Sequence, residues 1–204
     1  MLKVGLTGGY ATGKSFVASE LGQLGCLVIS ADRLGHQVLE PGGAGYEPTV
    51  ALFGPEIRGE NGHIDRKKLA ARVFQSPELL KELEAIVHPA VFQLEADLLR
   101  EFAAKEPKGV AVLEAAILIE TGRYKVFDRL ILTVCDEETQ IQRGIKRDGL
   151  TREQVRERLS RQMSSDEKKN FADYIIETDV PKEDTRRQIQ KIFSELRALA
   201  DGQS

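Results

Sequence analysis

Cysteine and histidine are scarce in this chain. Two cysteines, Cys26 and Cys135, and three histidines are spread over 204 residues, too few and too scattered for a zinc cluster. Both cysteines lie in or beside apolar runs, so each reads as a buried, reduced thiol. Excess positive charge is also missing. The formal net charge is −3, which leaves no global basic field to recruit nucleic acid. No apolar run approaches the ~18 residues that cross a bilayer. After Lys3 the chain passes straight into a short apolar run and glycines, without the pattern of a secretory signal. The expectation is a cytoplasmic protein with neither a membrane nor a nucleic-acid partner; none of these features assigns an oligomeric state. What remains is an ordinary globular balance, 41% apolar and 30% charged. That length suits one well-cored domain, or one core with inserted subdomains.

The chain opens as strand, loop, helix, strand. Leu2–Thr7 is apolar and ends in glycines. From Ser15 to Leu24, Val17, Ala18, Leu21 and Leu24 recur at helical spacing, and Gly25 is a plausible stop. Leu27–Ile29 then reads as a second strand. This order argues for an α/β fold with a parallel sheet covered by helices. From about Gly35 to Lys105 no strong buried strand is predicted. Pro41-Gly42-Gly43 and Gly59–Gly62 read as turns, and Asp65 caps a helix holding Leu69, Val73 and Phe74. Ser76-Pro77-Glu78 begins another helix, which Pro89 is expected to break before a further one. Apolar strands return at Val110–Leu113 and Leu130–Val134. Between Arg143 and Lys169 stand nine Lys/Arg against five Asp/Glu, with Thr151 and Gln154 forming a capping box. Tyr174–Ile176 supplies a last strand, and Ile189, Ile192, Phe193, Leu196 and Leu199 mark a closing amphipathic helix.

Chemistry concentrates at Gly8-Gly9-Tyr10-Ala11-Thr12-Gly13-Lys14-Ser15, which fits G-x-x-x-x-G-K-[ST]. Glycines permit the torsions that turn successive N–H groups toward one anion. The helix that follows adds its positive end. Lys14 can reach the β and γ phosphates of a nucleotide, and the Ser15 hydroxyl can ligate Mg²⁺. A strand before and a helix after supply the context this P-loop motif requires. Asp32-Arg33-Leu34-Gly35 matches the D-x-x-G of GTPase switches. It follows Ser15 too soon, however, and no N-K-x-D or T-K-x-D guanine-reading motif exists. Asp32 stands at the end of the second predicted strand, where parallel-sheet enzymes place their ligand crevice. It can accept or orient a hydroxyl proton; alternatively it caps a helix over Arg33–Val38. Glu114, at another strand end, can act on Mg²⁺ through water. Arg143 and Arg147 share a helix face. They either meet a polyphosphate or form a solvated basic surface.

These residues resemble the dephospho-coenzyme A kinase family. Leu6-Thr7-Gly8-Gly9 leading to Gly13-Lys14-Ser15, then Ala31-Asp32, carry the likeness first. Leu83–Pro89 is similar to the family's L-x-x-I-x-H-P segment, and Ala116–Glu120 to its P-L-L-F-E. Gln140–Arg143, Arg147-Asp148, Arg161-Gln162, Lys168 and Ala172-Asp173-Tyr174 follow in order, so the likeness runs to about residue 178. Ser30, Ala116 and Thr178 depart from the usual Asp, Pro and Asn.

The resemblance implies a P-loop kinase of three parts: a nucleotide-binding core of residues 1–34, 106–141 and 171–204, a helical acceptor subdomain of 35–105, and a lid of 142–170. It implies ATP and Mg²⁺, with transfer to the ribose 3′-hydroxyl of dephospho-coenzyme A. Other acceptors, a nucleoside monophosphate or a sugar acid, are the alternatives, and a non-catalytic nucleotide-binding regulator is another. ATP contacts are expected from Gly8, Gly9, Ala11, Thr12, Gly13, Lys14, Ser15, Phe16 and Arg147. Catalysis is expected from Lys14, Asp32 and Arg143. Acceptor contacts are expected from Asp32, His88, Glu120 and Arg161. His88 has a competing reading, a cap at a helix end facing the helix carbonyls; Lys168 is a further lid candidate.

Overall fold

A computed structural model describes residues 1–74 and 76–202. Residue 75 of the expected insertion and residues 203–204 of the expected core lie outside them. The described chain divides into two compact units, Met1–Ser30 with Phe102–Ser204, and Ala31–Glu101.

The first unit is built on five strands: β1 (Leu2–Gly8), β2 (Leu27–Ser30), β3 (Val110–Glu114), β4 (Arg129–Val134) and β5 (Tyr174–Glu177). All pairings are parallel, in the order β2-β3-β1-β4-β5. Parallel strands need crossovers, and here helices supply them. Helix α1 (Lys14–Gln23) leads from β1 to β2, and the closing helix, α9 (Lys182–Ala200), follows β5. Both press one face of the sheet: Val17, Ala18 and Leu21 of α1 and Ile189, Ile192 and Leu196 of α9 meet Val4, Leu6, Val112, Ile131 and Ile176. Such burial is worth roughly 1.5–3 kcal/mol per large aliphatic side chain, which is what fixes the α1 end of the phosphate loop. Gly25, at φ +98°, ends α1 as expected. The register sets Ser30 beside Glu114 and Glu114 beside Leu6, so the carboxyl ends of three strands form one edge.

Three further helices belong to this unit: α6 (Glu137–Asp148), α7 (Arg152–Ser160) and α8 (Ser165–Lys169). Local signals start each of them. Asp136 accepts from the Thr139 N–H, and Thr151 with Gln154 makes the predicted capping box, both of its bonds present. A second box, Ser164 with Glu167, starts α8.

The second unit contains α2 (Ala31–Gln37), α3 (Tyr46–Phe53), α4 (Arg66–Val73) and most of α5 (Pro77–Lys105). Asp65 caps α4 as expected, accepting from the N–H groups of Lys67 and Lys68. Tyr46, Val50, Phe53, Ile57 and Leu69 form a small core. Three expectations need correction. Helix α5 runs unbroken through Pro89, so His88 lies mid-helix and not at an end. Proline costs a helix one hydrogen bond and about 3 kcal/mol, but the Leu, Glu and Ala on both sides are strong helix formers that outweigh one defect. Asp32 stands in the first turn of α2 and not on the strand, which stops at Ser30. Helix α3 escapes sequence reading because Gly45 and Pro48 obscure a short apolar repeat. Among the described residues no helix is long and apolar enough to cross a membrane.

Candidate active site

The loop from Gly8 to Ser15 joins β1 to α1, and its shape follows from its residue types. Gly13 adopts φ +87°, and Ala11 is the one non-glycine described residue with positive φ, at +58°. A Cβ on Gly8 would lie 2.3 Å from Thr133 Oγ1 and 2.7 Å from the Thr133 carbonyl oxygen, so only glycine lets the loop pass there. The N–H groups of Ala11, Gly13 and Ser15 take no backbone partner among the described residues. Together with the positive end of α1 they form an anion cradle.

Side chains from β4, α6 and the loop after β5 hold this cradle in place. The Thr12 and Thr133 hydroxyls lie 2.7 Å apart, both fully buried. Thr12 also donates to the Gly9 carbonyl at 2.9 Å. Gln140 donates to the Tyr10 carbonyl at 2.7 Å, while the Tyr10 N–H donates to Gln162 Oε1 at 2.8 Å. Arg143 turns inward and donates to the Ala11 carbonyl at 3.3 Å and to Thr178 Oγ1 at 3.0 Å. Its other terminal nitrogen donates to the Thr178 carbonyl.

Arg147 points elsewhere. It binds Asp148 through two nitrogens, each at 2.9 Å, and lies 5.1 Å from the centre of the Tyr10 ring. Arg158 covers the same ring at 5.4 Å. Tyr10 donates its hydroxyl proton to Asp148. Hydrogen bonds from Arg147 and then Tyr10 hold the Asp148 carboxyl down to about 2. Burial first, and the Asp148 bond second, raise the Tyr10 hydroxyl. Arg143 and Arg147 share a helix, yet only Arg143 reaches the cradle.

At the mouth of the loop, Lys14 Nζ donates to the Gly8 and Gly9 carbonyls, both at 2.8 Å. The Ser15 hydroxyl donates to Glu114 Oε1 at 3.0 Å. This pairs a hydroxyl with a carboxylate on the sheet edge, the oxygen donors that hard cations take. No cluster of three or more His, Cys, Asp or Glu able to hold a metal ion occurs among the described residues. Phe16 sits half-buried against the α1–α9 core, its ring beneath Lys182 and Arg186. Its N–H is already donated to Gly13.

Of the remaining candidates, Asp32 and His88 belong to the second unit, Arg161 and Glu120 to the first. Asp32 is exposed and accepts no hydrogen bond among the described residues. His88 is exposed on α5, its ring 6.1 Å from that of Phe92. Arg161 is exposed and paired with Glu157, one turn back. Glu120 binds Lys168 Nζ at 2.8 Å, and that lysine side chain is 0% exposed. Lys168 also donates to the Ala116 carbonyl at 3.2 Å. Removing one partner of a buried pair leaves the other charge stranded. Glu120→Ala is therefore expected to cost about 3–5 kcal/mol, read from urea unfolding. A loss under about 1 kcal/mol would show that the pair does not hold α8 down. Burial raises both thiols, Cys26 to about 11. For Cys135 the burial effect outweighs the opposing pull of Arg143.

Sequence reasoning placed the loop but missed its braces. Thr133, Gln140, Gln162 and Thr178 are common polar residues far from it in the chain. Thr133 lies in β4 and Thr178 just past β5, while Gln140 stands on α6 and Gln162 beyond α7, so no local pattern marks them as partners of the loop.

Comparison with known proteins extends this geometry. The family model for dephospho-CoA kinase matches residues 2–184. A dephospho-CoA kinase of Geobacillus kaustophilus is 40% identical over 200 residues, 97% of this chain and 98% of that one. Among solved structures, a Thermus thermophilus protein superposes with TM-score 0.80 at 34% identity, covering 96% of this chain and 97% of its own. Dephospho-CoA kinase from Campylobacter jejuni superposes with TM-score 0.70 at 26% identity, covering 99% and 98%. Likeness of that length, running through the cradle, its braces and both ends of the sheet, makes this chain a member of the dephospho-CoA kinase family.

Proposed function

We infer that this chain transfers the γ-phosphoryl group of ATP to the ribose 3′-hydroxyl of dephospho-coenzyme A, giving ADP and coenzyme A. The observation that carries the reading is the pre-formed loop: N–H groups of Ala11, Gly13 and Ser15 without a backbone partner among the described residues, at the start of α1, with Lys14 folded back over the Gly8 and Gly9 carbonyls. Phosphoryl transfer passes through a loose transition state with charge spread over the γ oxygens, so positioning and charge stabilisation supply most of the catalysis. Lys14 exchanges the Gly8 and Gly9 carbonyls for phosphate oxygens. Ser15 and Glu114 are the residues that would hold Mg²⁺, which keeps most of its waters and needs few protein ligands. Bound there, the ion would neutralise charge on the β and γ oxygens.

In the transfer itself, the acceptor oxygen bonds to the γ phosphorus as the bond to the β–γ bridging oxygen breaks. The acceptor proton passes to Asp32. Supporting this role, Asp32 follows the carboxyl end of β2 by two residues and has no partner among the described residues that would occupy its carboxylate. His88 and Arg161, both exposed, are offered to the acceptor. Arg143 supplies positive charge beside the cradle. Arg147 can leave Asp148 for a phosphate.

ATP turnover in the presence of dephospho-coenzyme A, with the product identified by mass, tests the reading. A gain of one phosphoryl group on the acceptor is expected. Faster phosphorylation of a nucleoside monophosphate or a sugar acid would overturn it.

Residues 142–170 act as the lid. Support comes from their basic excess and from ion pairs that stay mostly on the surface, such as Arg152 with Glu138 and Arg156 with Glu137; surface pairs of this kind hold a segment weakly. Closure over bound nucleotide would exclude water from the reaction. Amide exchange in α7 and α8 is expected to slow when an ATP analogue and the acceptor are both bound. Equal protection in free and ternary states would contradict a moving lid.

A further inference from the structure

We propose that Thr178 is a positioning residue for phosphoryl transfer: it aims the Gly13 N–H into the cradle and ties Arg143 to the loop. Thr178 stands one residue beyond β5 and is 7% exposed. Its hydroxyl donates to the Thr12 carbonyl at 2.7 Å, with the Val134 carbonyl 3.2 Å away. The same oxygen accepts from Arg143 at 3.0 Å, and the Thr178 carbonyl accepts from the other nitrogen of that guanidinium. One side chain thus meets the phosphate loop, the end of β4 and α6.

The consequence follows from peptide geometry. A trans peptide is planar, and its C=O and N–H point in opposite directions. Whatever fixes the Thr12 carbonyl therefore fixes the Gly13 N–H, and directs it away from Thr178. That N–H takes no backbone partner among the described residues. Gly13 offers no resistance of its own, because glycine at φ +87° has neighbouring torsions open to it. A Cβ at Gly13 would come within 3.2 Å of Thr178 Oγ1, so the hydroxyl also lies against the residue it orients. Gln140 acts alike one turn of the loop earlier, where its bond to the Tyr10 carbonyl aims the Ala11 N–H. Thr178 differs in also holding a cation, so loop and Arg143 share one anchor.

This rests on reading the loop as the ATP cradle. Steady-state kinetics with ATP and dephospho-coenzyme A on Thr178→Val and Thr178→Ser test it. Valine matches the shape but lacks the hydroxyl. With valine, kcat is expected to fall roughly tenfold, the change that one mis-set hydrogen bond carries. Serine should stay within about threefold of wild type. If valine does not fold, Thr178→Ala against Thr178→Ser is read in the same way. In a double-mutant cycle, the valine change should cost less in an Arg143→Ala background, while the part carried through the Thr12 carbonyl remains. A purely structural role predicts a lower melting midpoint with unchanged kcat per folded molecule, and that result would overturn the proposal. Full additivity with Arg143→Ala would overturn the shared anchor. Wild-type protein inactive with both substrates would instead fault the assigned reaction, a separate outcome.

Discussion

Replacing Lys14 with alanine is expected to lower kcat by about a hundredfold or more, since preorganised donors at developing charge are typically worth ~10²–10³ each. In the structure the ammonium donates to the Gly8 and Gly9 carbonyls, so its charge is stored at the mouth of the cradle before any nucleotide arrives. Loss of those bonds should change stability only modestly, by about 1 kcal/mol, because the bonds are part-buried and the net worth of such a bond is small. The two effects separate cleanly. Turnover collapses while urea unfolding moves little. A purified alanine variant with wild-type turnover would remove Lys14 from the chemistry. A variant that fails to fold would show instead that the carbonyl bonds, and not the phosphates, are what the lysine serves.

Asp32→Asn is expected to lower kcat on the order of a hundredfold, with the KM for ATP within a few-fold of wild type. Positioned acid–base help is typically worth roughly 10²–10⁴. A loose transition state needs the lower part of that range. Asparagine keeps the shape and one accepting oxygen but loses charge and basicity. ATP affinity should hold, because residues 8–15 and not Asp32 form the phosphate cradle. The structure limits the alternative role. Asp32 lies in the first turn of α2, where an exposed acid favours the helix dipole by only about 0.3–1 kcal/mol. If that were its whole purpose, the variant would lose a little stability and keep its turnover. A kcat within about threefold of wild type, well below the general-base range, would return Asp32 to the helix and direct attention to His88.

Much of the fold was legible because its signals are local. The apolar runs that became β1, β3 and β4 are buried on both faces, which excludes alternation. Asp65 and the Thr151–Gln154 pair announced helices through bonds closed within three residues. Pro89 misled because a local defect was weighed without the 29-residue helix that absorbs it. Tyr46–Phe53 was missed for the converse reason: its apolar side chains gain their stability from Ile57 and Leu69, contacts that lie outside the segment.

The sequence by itself determined that a phosphate loop exists, between which elements it lies, and which lysine and serine it presents. Those properties depend on torsions and donors within eight consecutive residues. Tertiary structure alone decided which way the loop's peptides point. That orientation depends on Thr133, Gln140, Gln162, Arg143 and Thr178, the last of them 166 residues from the Thr12 carbonyl it holds. Tertiary structure also parted Arg143, turned into the loop, from Arg147, stacked on Tyr10, although the two share one helix. Chain spacing carries no information on such pairs. The buried braces, Thr12 with Thr133 and with Thr178, form because burial leaves each polar group no water, and the nearest partner in space must satisfy it.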